Sequence, residues 1–328
     1  MTERTAFGPQ PTIRAGRGPN EAPVTTTTHS LFQRFDPKML SALEGLDLKS
    51  RYIMEGFLSG LHDSPFHGFS VEFSDYRNYQ PGDDLRHLDW RLYARSDRLC
   101  IKRYMQETNA RFYVVCDTSA SMEYRGANAW GSKLDCAKVL AAGMSWFLLK
   151  QNDAAGMVTL SGRSEIPEFI RPSQKPTQFG LLLRHLDRLN PSGGASLSRL
   201  LQHVARLVQR RSIILFFSDL LEPSADVALG FKQLRFQGHE VIIFQTLDRD
   251  ELEFPFAEAR IFEDMETGVR RIISPAAVRQ KYLERFNAFM EPYHELFRSL
   301  EMPHCVVRTD DSPWHALAMF LAERKRLH

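Results

Sequence analysis

Cysteine is scarce in this sequence, with only four among 328 residues, and no two of them are spaced as a Cys-x-x-Cys pair. That spacing excludes the common zinc-binding and redox dithiol motifs. No run of 18 or more apolar residues occurs, so no segment is predicted to cross a bilayer. The N-terminus also lacks the apolar core of a secretory signal. We therefore expect a cytoplasmic protein with no direct membrane insertion.

An excess of charge of either sign is also missing. The 42 basic and 40 acidic residues leave a formal net charge of +2, which gives no overall field to attract nucleic acid or a membrane surface. Apolar residues make up 43% of the chain, enough for a large core. Composition and pattern together predict three parts: a disordered tail over residues 1–30, an N-terminal extension over 31–107, and a main domain over 108–328.

The main domain alternates short apolar segments with helical segments. This pattern predicts an α/β fold, with a doubly wound, mostly parallel sheet covered by helices on both faces. The predicted strands are 112–117, 155–161, 213–218, 240–246 and 304–308. The predicted helices are 132–150, 177–189, 197–210, 224–237, 276–300 and 313–326. Residues 257–273 interrupt the alternation and are predicted to contain a β-hairpin.

The N-terminal extension is predicted to pack on the sheet domain. Its pattern indicates a helix from about Asp36, weak at Gly45 and fraying or breaking near Gly56 and Gly60. Strands are predicted over residues 66–77 and 98–107, and a turn over 80–84. The helix predicted at 132–150 is apolar nearly all round, so a second element must cover it. The extension is the candidate.

A candidate metal site follows the first predicted strand of the main domain. Asp117-Thr-Ser-Ala-Ser121 places a carboxylate and two hydroxyls in one loop. Where that loop is extended, Asp117, Ser119 and Ser121 project to the same side. Oxygen donors of low total charge suit Mg²⁺ better than Zn²⁺.

Two further segments support this site. Asp219 ends the apolar strand 213–218, and a Gly193-Gly194 loop precedes a helix whose predicted N-cap is Ser196. In open parallel sheets, ligand sites form at the carboxyl ends of the strands. The three segments are therefore expected to converge on one cation, and the alternative is that they form unrelated caps and turns.

This combination resembles the metal-ion-dependent adhesion site of von Willebrand factor A domains. The resemblance implies that Asp117, Ser119 and Ser121 hold Mg²⁺ (or Mn²⁺ or Ca²⁺) directly or through water, and that Asp219 acts through water. It also implies an open coordination position for a partner's carboxylate. One position departs from the pattern, because Ala195 stands where the family usually has threonine; the hydroxyl of Ser196 is the nearest substitute.

The upstream segment resembles the domain-of-unknown-function-58 family. The resemblance rests on Gly68-Phe-Ser-Val-Glu-Phe73, Tyr76-Arg77, Tyr79-x-Pro81-Gly82-Asp83-Asp84-x-Arg86-x-x-Asp89-Trp90 and the closing Arg308-Thr-Asp310 segment. It implies a non-enzymatic adaptor or co-chaperone of a MoxR-type AAA+ ATPase, acting on an unidentified client in complex maturation or metal-cofactor insertion. We assign Arg77, Arg86 and Trp90 as candidate partner-binding residues.

Two other functions stay open from the residues alone. One is a Mg²⁺-dependent phosphohydrolase that uses Asp117 and Asp219, although no phosphate-binding Gly-x-x-x-x-Gly-Lys-Ser/Thr loop occurs. The other is nucleic-acid binding through the basic stretch 86–103. The acidic residues mixed into that stretch favour a solvated or protein-binding surface, so no nucleic-acid partner is expected.

Overall fold

The computed structural model describes residues 43, 45–62, 76–78, 93, 95, 100–102, 110–160, 166–193, 196–265 and 269–326. The predicted tail 1–30 lies outside these residues. So do the turn 80–84 and most of the segments 66–77 and 86–103.

The described strands are β1 (Tyr76–Asn78), β2 (Cys100–Lys102), β3 (Arg111–Cys116), β4 (Ala154–Thr159), β5 (Glu168–Ser173), β6 (Ile213–Ser218), β7 (Glu240–Leu247), β8 (Arg260–Glu263), β9 (Arg270–Ile273) and β10 (His304–Arg308). The described helices are α1 (Leu46–His62), α2 (Lys133–Lys150), α3 (Gln178–Arg188), α4 (Leu197–Leu207), α5 (Ser224–Phe236), α6 (Arg249–Glu253), α7 (Pro275–Ser299) and α8 (Trp314–Arg326). A short 3-10 helix covers Ala120–Glu123. None of these helices is long and apolar enough to cross a membrane.

Six strands form the central sheet in the order β10-β7-β6-β3-β4-β5. All neighbours pair in parallel except β4 and β5, which are antiparallel. Counted along the chain, the order is 3-2-1-4-5-6, the order of doubly wound folds, and its direction reverses between β3 and β6. The fold class predicted from the sequence is confirmed, and β8 and β9 form the predicted separate hairpin.

The antiparallel edge strand β5 was not predicted. Pro172 lies within it, and a proline argues against a strand except at a sheet edge, where its missing N–H leaves no central ladder bond unmade. The backbones of β4 and β5 are also in unusually close contact. A Cβ atom added to Gly156 would lie 2.6 Å from the carbonyl oxygen of Ile170, so glycine is required there.

Each face of the sheet has its own core. Along β3, Phe112, Val114 and Cys116 belong to one core, and Tyr113 and Val115 belong to the other, as the alternation of side chains in a strand requires. The first core includes residues of α1, α2, α3 and α8, and the second includes residues of α4, α5 and α7.

Helix α1 covers α2, as the apolar surface of α2 predicted. Ile53 and Met54 are 1% exposed and join the core that contains α2. The helix begins at Leu46, directly after Gly45 with φ +84°. Fraying or a break was predicted near Gly56 and Gly60; α1 continues through Gly56 and ends at His62, two residues after Gly60. Packing explains the difference at Gly56, where an added Cβ would lie 3.2 Å from the ring of Trp314.

Candidate functional site

The two predicted metal-ligand carboxylates lie side by side at the reversal of strand order. Asp117 directly follows β3 and Asp219 directly follows β6, and the N–H of Asp117 donates to the carbonyl of Phe217 at 2.9 Å. Both residues are buried, with 4% and 1% exposure. The sheet therefore places both carboxylates at its carboxyl edge, where ligand sites of this architecture form.

The loop after β3 brings its hydroxyls to the same place. Oδ1 of Asp117 accepts a hydrogen bond from the N–H of Ser119 at 2.9 Å, and Oδ2 accepts one from the hydroxyl of Ser218 at 2.7 Å. The hydroxyls of Ser119 and Ser121 are 3.1 Å apart. Burial, reinforced by the charge of Asp219, raises the pKa of Asp117 to about 6. A carboxylate whose pKa rises in this way is stabilised by a nearby cation.

The chain itself supplies a cation to Asp219, the neighbouring carboxylate. Nζ of Lys133, which has no exposed surface, lies 2.8 Å from Oδ2 of Asp219 and 2.6 Å from Oε1 of Glu251. Burial alone would lower the pKa of Lys133, but the charges of Asp219 and Glu251 outweigh burial and raise it above its ordinary value. Lys133 therefore stays protonated and is the ion-pair partner of one predicted metal ligand.

Ser196 lies at the N-cap of α4. Its hydroxyl accepts from the N–H of Arg199 at 3.5 Å and donates to Glu222 at 3.3 Å. Glu222 also accepts from the N–H of Leu197 at 2.7 Å. Ser196 is not among the residues that line the cavity beside Asp117, so the structure shows it as a helix cap. Its role as a metal ligand stays a prediction, and Ala195 lies outside the described part of the chain.

A cavity of about 600 Å³ opens beside these groups. Its lining includes Asp117, Ser119, Ser121 and Asp219, so four of the five predicted metal residues share one space. Two carboxylates and two hydroxyls form an oxygen-only donor set that suits Mg²⁺, Mn²⁺ or Ca²⁺. The residues present therefore fit a divalent cation, although Lys133 already neutralises one carboxylate.

A metal centre built from three or more His, Cys, Asp or Glu side chains does not occur among the residues that the structure describes. The candidate donor set has only two such side chains. It is therefore of a different kind, and metal binding by this set would depend on the serine hydroxyls.

Sequence reasoning missed several residues of this site. One feature of the sequence could have indicated Lys133. It lies in the first turn of α2, where the helix dipole disfavours a cation unless an acidic partner is close. Glu251 lies on the short helix α6, which was not predicted. The hydroxyl of Tyr282 donates to the carbonyl of Glu251 at 3.0 Å, so α7 holds α6 in place.

The candidate partner-binding residues are not placed by the structure. Only the backbone of Arg77 is described, in β1, where it pairs with Ile101 of β2. Arg86 and Trp90 lie outside the described residues. Their assignment stays a prediction.

Comparison with known proteins finds a similar sequence and several similar solved structures. An uncharacterized protein of Mycobacterium tuberculosis is 26% identical over 295 residues, covering 89% of this chain and 91% of that protein. Among solved structures, the conserved hypothetical protein BatB from Bacteroides thetaiotaomicron is 14% identical with a TM-score of 0.39, over 66% of this chain and 99% of that chain. The VWA domain of SpRpn10 is 12% identical with a TM-score of 0.34, over 61% and 88%. Both TM-scores are low, so neither likeness bears on function.

The sequence also matches a family model. The match covers residues 75–289, more than half of the chain, and the family is described as "Protein of unknown function DUF58". It spans β3 to β6 and therefore includes both carboxylates at the reversal of strand order. The chain belongs to the DUF58 family.

Proposed function

We propose that this protein is a non-enzymatic, divalent-metal-dependent interaction module, and that it serves as an adaptor or co-chaperone of a MoxR-type AAA+ ATPase. The observation that carries the proposal is the convergence of Asp117, Ser119, Ser121 and Asp219 on one cavity. These residues would hold the cation. A bound cation would supply a coordination position for a carboxylate of the partner or its client.

The chain's own residues prepare this site. Ser218 and the N–H of Ser119 orient the carboxylate of Asp117. Gln245 donates to the carbonyl of Asp219 at 3.1 Å, which fixes the backbone at the end of β6. Rigid supporting contacts of this kind keep a ligand set in position.

The charge of the cavity supports a binding role over phosphate-ester hydrolysis. Phosphoryl transfer needs cationic groups that contact the phosphate. The described lining contains no Lys, Arg or His, and the ammonium of Lys133 is fully buried against two carboxylates. We expect the purified protein to hydrolyse neither phosphate esters nor peptides nor carboxylic esters.

Calorimetry with MgCl₂ and MnCl₂ tests the metal proposal. Wild-type protein should bind the cation, whereas Asp117→Ala should abolish binding without changing the circular dichroism spectrum. Asp187→Ala is the matched control, because Asp187 is an exposed carboxylate on α3. Absence of binding by wild type at millimolar cation would refute the metal-dependent role.

Co-purification with the ATPase tests the partner proposal. The complex should form with Mg²⁺, dissociate with EDTA, and be lost in Asp117→Ala, and the adaptor should alter the turnover of the ATPase. Binding that survives both treatments would place the interface elsewhere, with Arg77, Arg86 and Trp90 the next residues to substitute. Intrinsic catalysis that depends on Asp117 would overturn the adaptor role.

A further inference from the structure

The cavity extends well beyond the candidate metal residues and has an aromatic wall. Four of its lining residues are Phe254, Phe256, Phe262 and Tyr282. The rings contact one another, with centroids 4.5 Å apart for Phe254 and Tyr282 and 5.5 Å apart for Phe254 and Phe262. A volume of about 600 Å³ is typical of sites that enclose a ligand or a short segment of another chain.

The backbone is strained where it builds this wall. Phe254 ends α6 with φ 46° and ψ 60°, a left-handed conformation that is unfavourable for a residue other than glycine. The conformation is maintained because the ring, 6% exposed, packs between Tyr282 of α7 and Phe262 of the hairpin. Three separate elements thus hold the wall in a defined shape.

The lining is also rich in carboxylates. Carboxylates make up half of the described lining outside those four rings, seven residues of 14: Asp117, Asp219, Glu222, Asp250, Glu251, Glu263 and Asp264. Lys133 pairs with two of these, and Arg270 lies 2.8 Å from Glu263. Asp250 accepts from the neutral hydroxyl of Tyr124 at 2.9 Å, and Glu222 from backbone N–H groups. The described lining thus places seven carboxylates, three of which pair with Lys133 or Arg270, beside aromatic faces.

We propose that this cavity binds an arginine side chain of a partner protein. A guanidinium ion stacks on aromatic faces and forms paired hydrogen bonds with carboxylates, and both groups line the same space here. The inference rests on the proposed function, since it assumes a protein partner, and it adds the chemistry of the segment that the partner presents.

The surroundings of the cavity favour a protein over a small free amine. Leu221 and Met265, two large apolar residues of the lining, are each 37% exposed. A small amine would leave these apolar side chains in water. A protein surface that inserts an arginine would cover them, as interface cores do.

Fluorescence anisotropy with a labelled hexa-arginine peptide tests the inference on the full chain at ~0.15 M salt, where long-range attraction is screened. Phe262→Leu should weaken binding about tenfold through loss of a cation–aromatic contact, and Asp250→Asn about tenfold through loss of a charged hydrogen-bond acceptor. The matched controls are Phe236→Leu, an exposed phenylalanine on α5, and Glu295→Gln, an exposed glutamate on α7. Neither should change the affinity. Thermal unfolding of each variant confirms that it folds.

Several outcomes would overturn the inference. Equal affinity of all four variants would show non-specific attraction, and tighter binding of a hexa-glutamate peptide in EDTA would show the opposite charge preference. Spermine that binds as tightly as hexa-arginine, with the same dependence on Phe262, would identify the ligand as a small amine.

Repeating the titration with Mg²⁺ and with EDTA separates this inference from the proposed function. Binding in EDTA that is lost in Phe262→Leu and Asp250→Asn would support the arginine site even if calorimetry finds no metal. Metal binding combined with hexa-arginine binding that neither variant weakens would leave the metal proposal intact and refute the arginine site.

Discussion

Nζ of Lys133 lies 2.8 Å from Oδ2 of Asp219, and neither side chain is more than 2% exposed. The same ammonium contacts Glu251 at 2.6 Å, so it bridges the end of β6 and the helix after β7. One of the two carboxylates at the centre of the candidate site thus has a permanent cation, whereas Asp117 is held by neutral donors. A divalent cation would therefore neutralise Asp117 most of all.

Replacing Lys133 should show how strongly the two buried carboxylates depend on its charge. Lys133→Met leaves Asp219 and Glu251 buried without a cation, which should lower the free energy of unfolding by about 3–5 kcal/mol. If Mg²⁺ binds the site, millimolar MgCl₂ should restore more stability to this variant than to wild type, because ligand binding stabilises the folded state by mass action. Urea denaturation with and without MgCl₂ measures both effects.

Lys138→Met is the matched control for this experiment. Lys138 lies on the same helix and donates to the carbonyl of Leu189 at 2.5 Å, so its loss should cost only about 1 kcal/mol and should not respond to MgCl₂. A similar loss in both variants would contradict the role given to the Lys133 ion pair.

Ala195 stands where the von Willebrand factor A pattern has threonine, so restoring threonine should raise the affinity for metal. Ala195→Thr adds the hydroxyl that the resemblance to von Willebrand factor A domains leads us to expect, and it should strengthen Mg²⁺ binding about fivefold, equivalent to ~1 kcal/mol. Ala195→Val has nearly the same shape without the hydroxyl and should give no gain. Calorimetry with MgCl₂ on the two variants tests this expectation. If neither variant binds Mg²⁺ more tightly than wild type, the geometry of the loop, and not the missing hydroxyl, limits the affinity.

Two helical glycines should respond to alanine with opposite signs. A Cβ at Gly230 of α5 would lie 2.7 Å from Cβ of Leu201 in α4, so Gly230→Ala should cost about 1–3 kcal/mol by overpacking. At Gly180 of α3 the nearest atom is Nη1 of Arg184 at 3.5 Å. Gly180→Ala should therefore stabilise the helix by up to about 1 kcal/mol. Urea denaturation measures both, and equal effects would refute the close contact between α4 and α5.

Acid should destabilise the fold partly through His304. Burial, reinforced by nearby His294, lowers the pKa of His304 from 6.5 to about 4. Between these pH values the unfolded chain binds more protons than the folded one, so stability is full above the unfolded pKa and falls as pH drops from about 6.5 towards 4. The loss should approach about 3 kcal/mol.

Urea denaturation at several pH values in this range tests that expectation. His304→Gln should flatten the dependence and can still bond Gln245, the partner of His304 at 2.9 Å. His315, an exposed histidine on α8, supplies the control His315→Gln, which should leave the dependence unchanged. An identical slope in wild type and His304→Gln would show that other groups cause the acid sensitivity.

Local sequence pattern was sufficient for most of the sheet. Continuous apolar segments predicted five strands correctly, because parallel strands covered on both faces need apolar residues at nearly every position. The edge strand β5 was not predicted, because Pro172 and the mixture of apolar and polar residues around it are typical of a loop. Helix α6 was not predicted, because five residues are too few to show a helical period.

The candidate site was predicted only in part. Asp117, Ser119 and Ser121 share one loop, and Asp219 ends a recognisable strand, so their convergence follows from the rule that sites lie at strand ends. Ser196 was also predicted as a helix cap, from its place before a helical segment. The arrangement of its hydroxyl towards Glu222, 26 residues away, was not visible in the pattern.

The sequence by itself determined the class of fold, the order of its main elements and the position of the two strand-end carboxylates, because each depends on local hydrophobic period and on the chemistry of a few adjacent residues. Only the tertiary structure decided which charges meet there. Lys133 and Asp219 are 86 residues apart, and Phe254 and Tyr282 contact each other only because α6 and α7 fold together. Such long-range contacts depend on how the chain packs, and no local pattern encodes them.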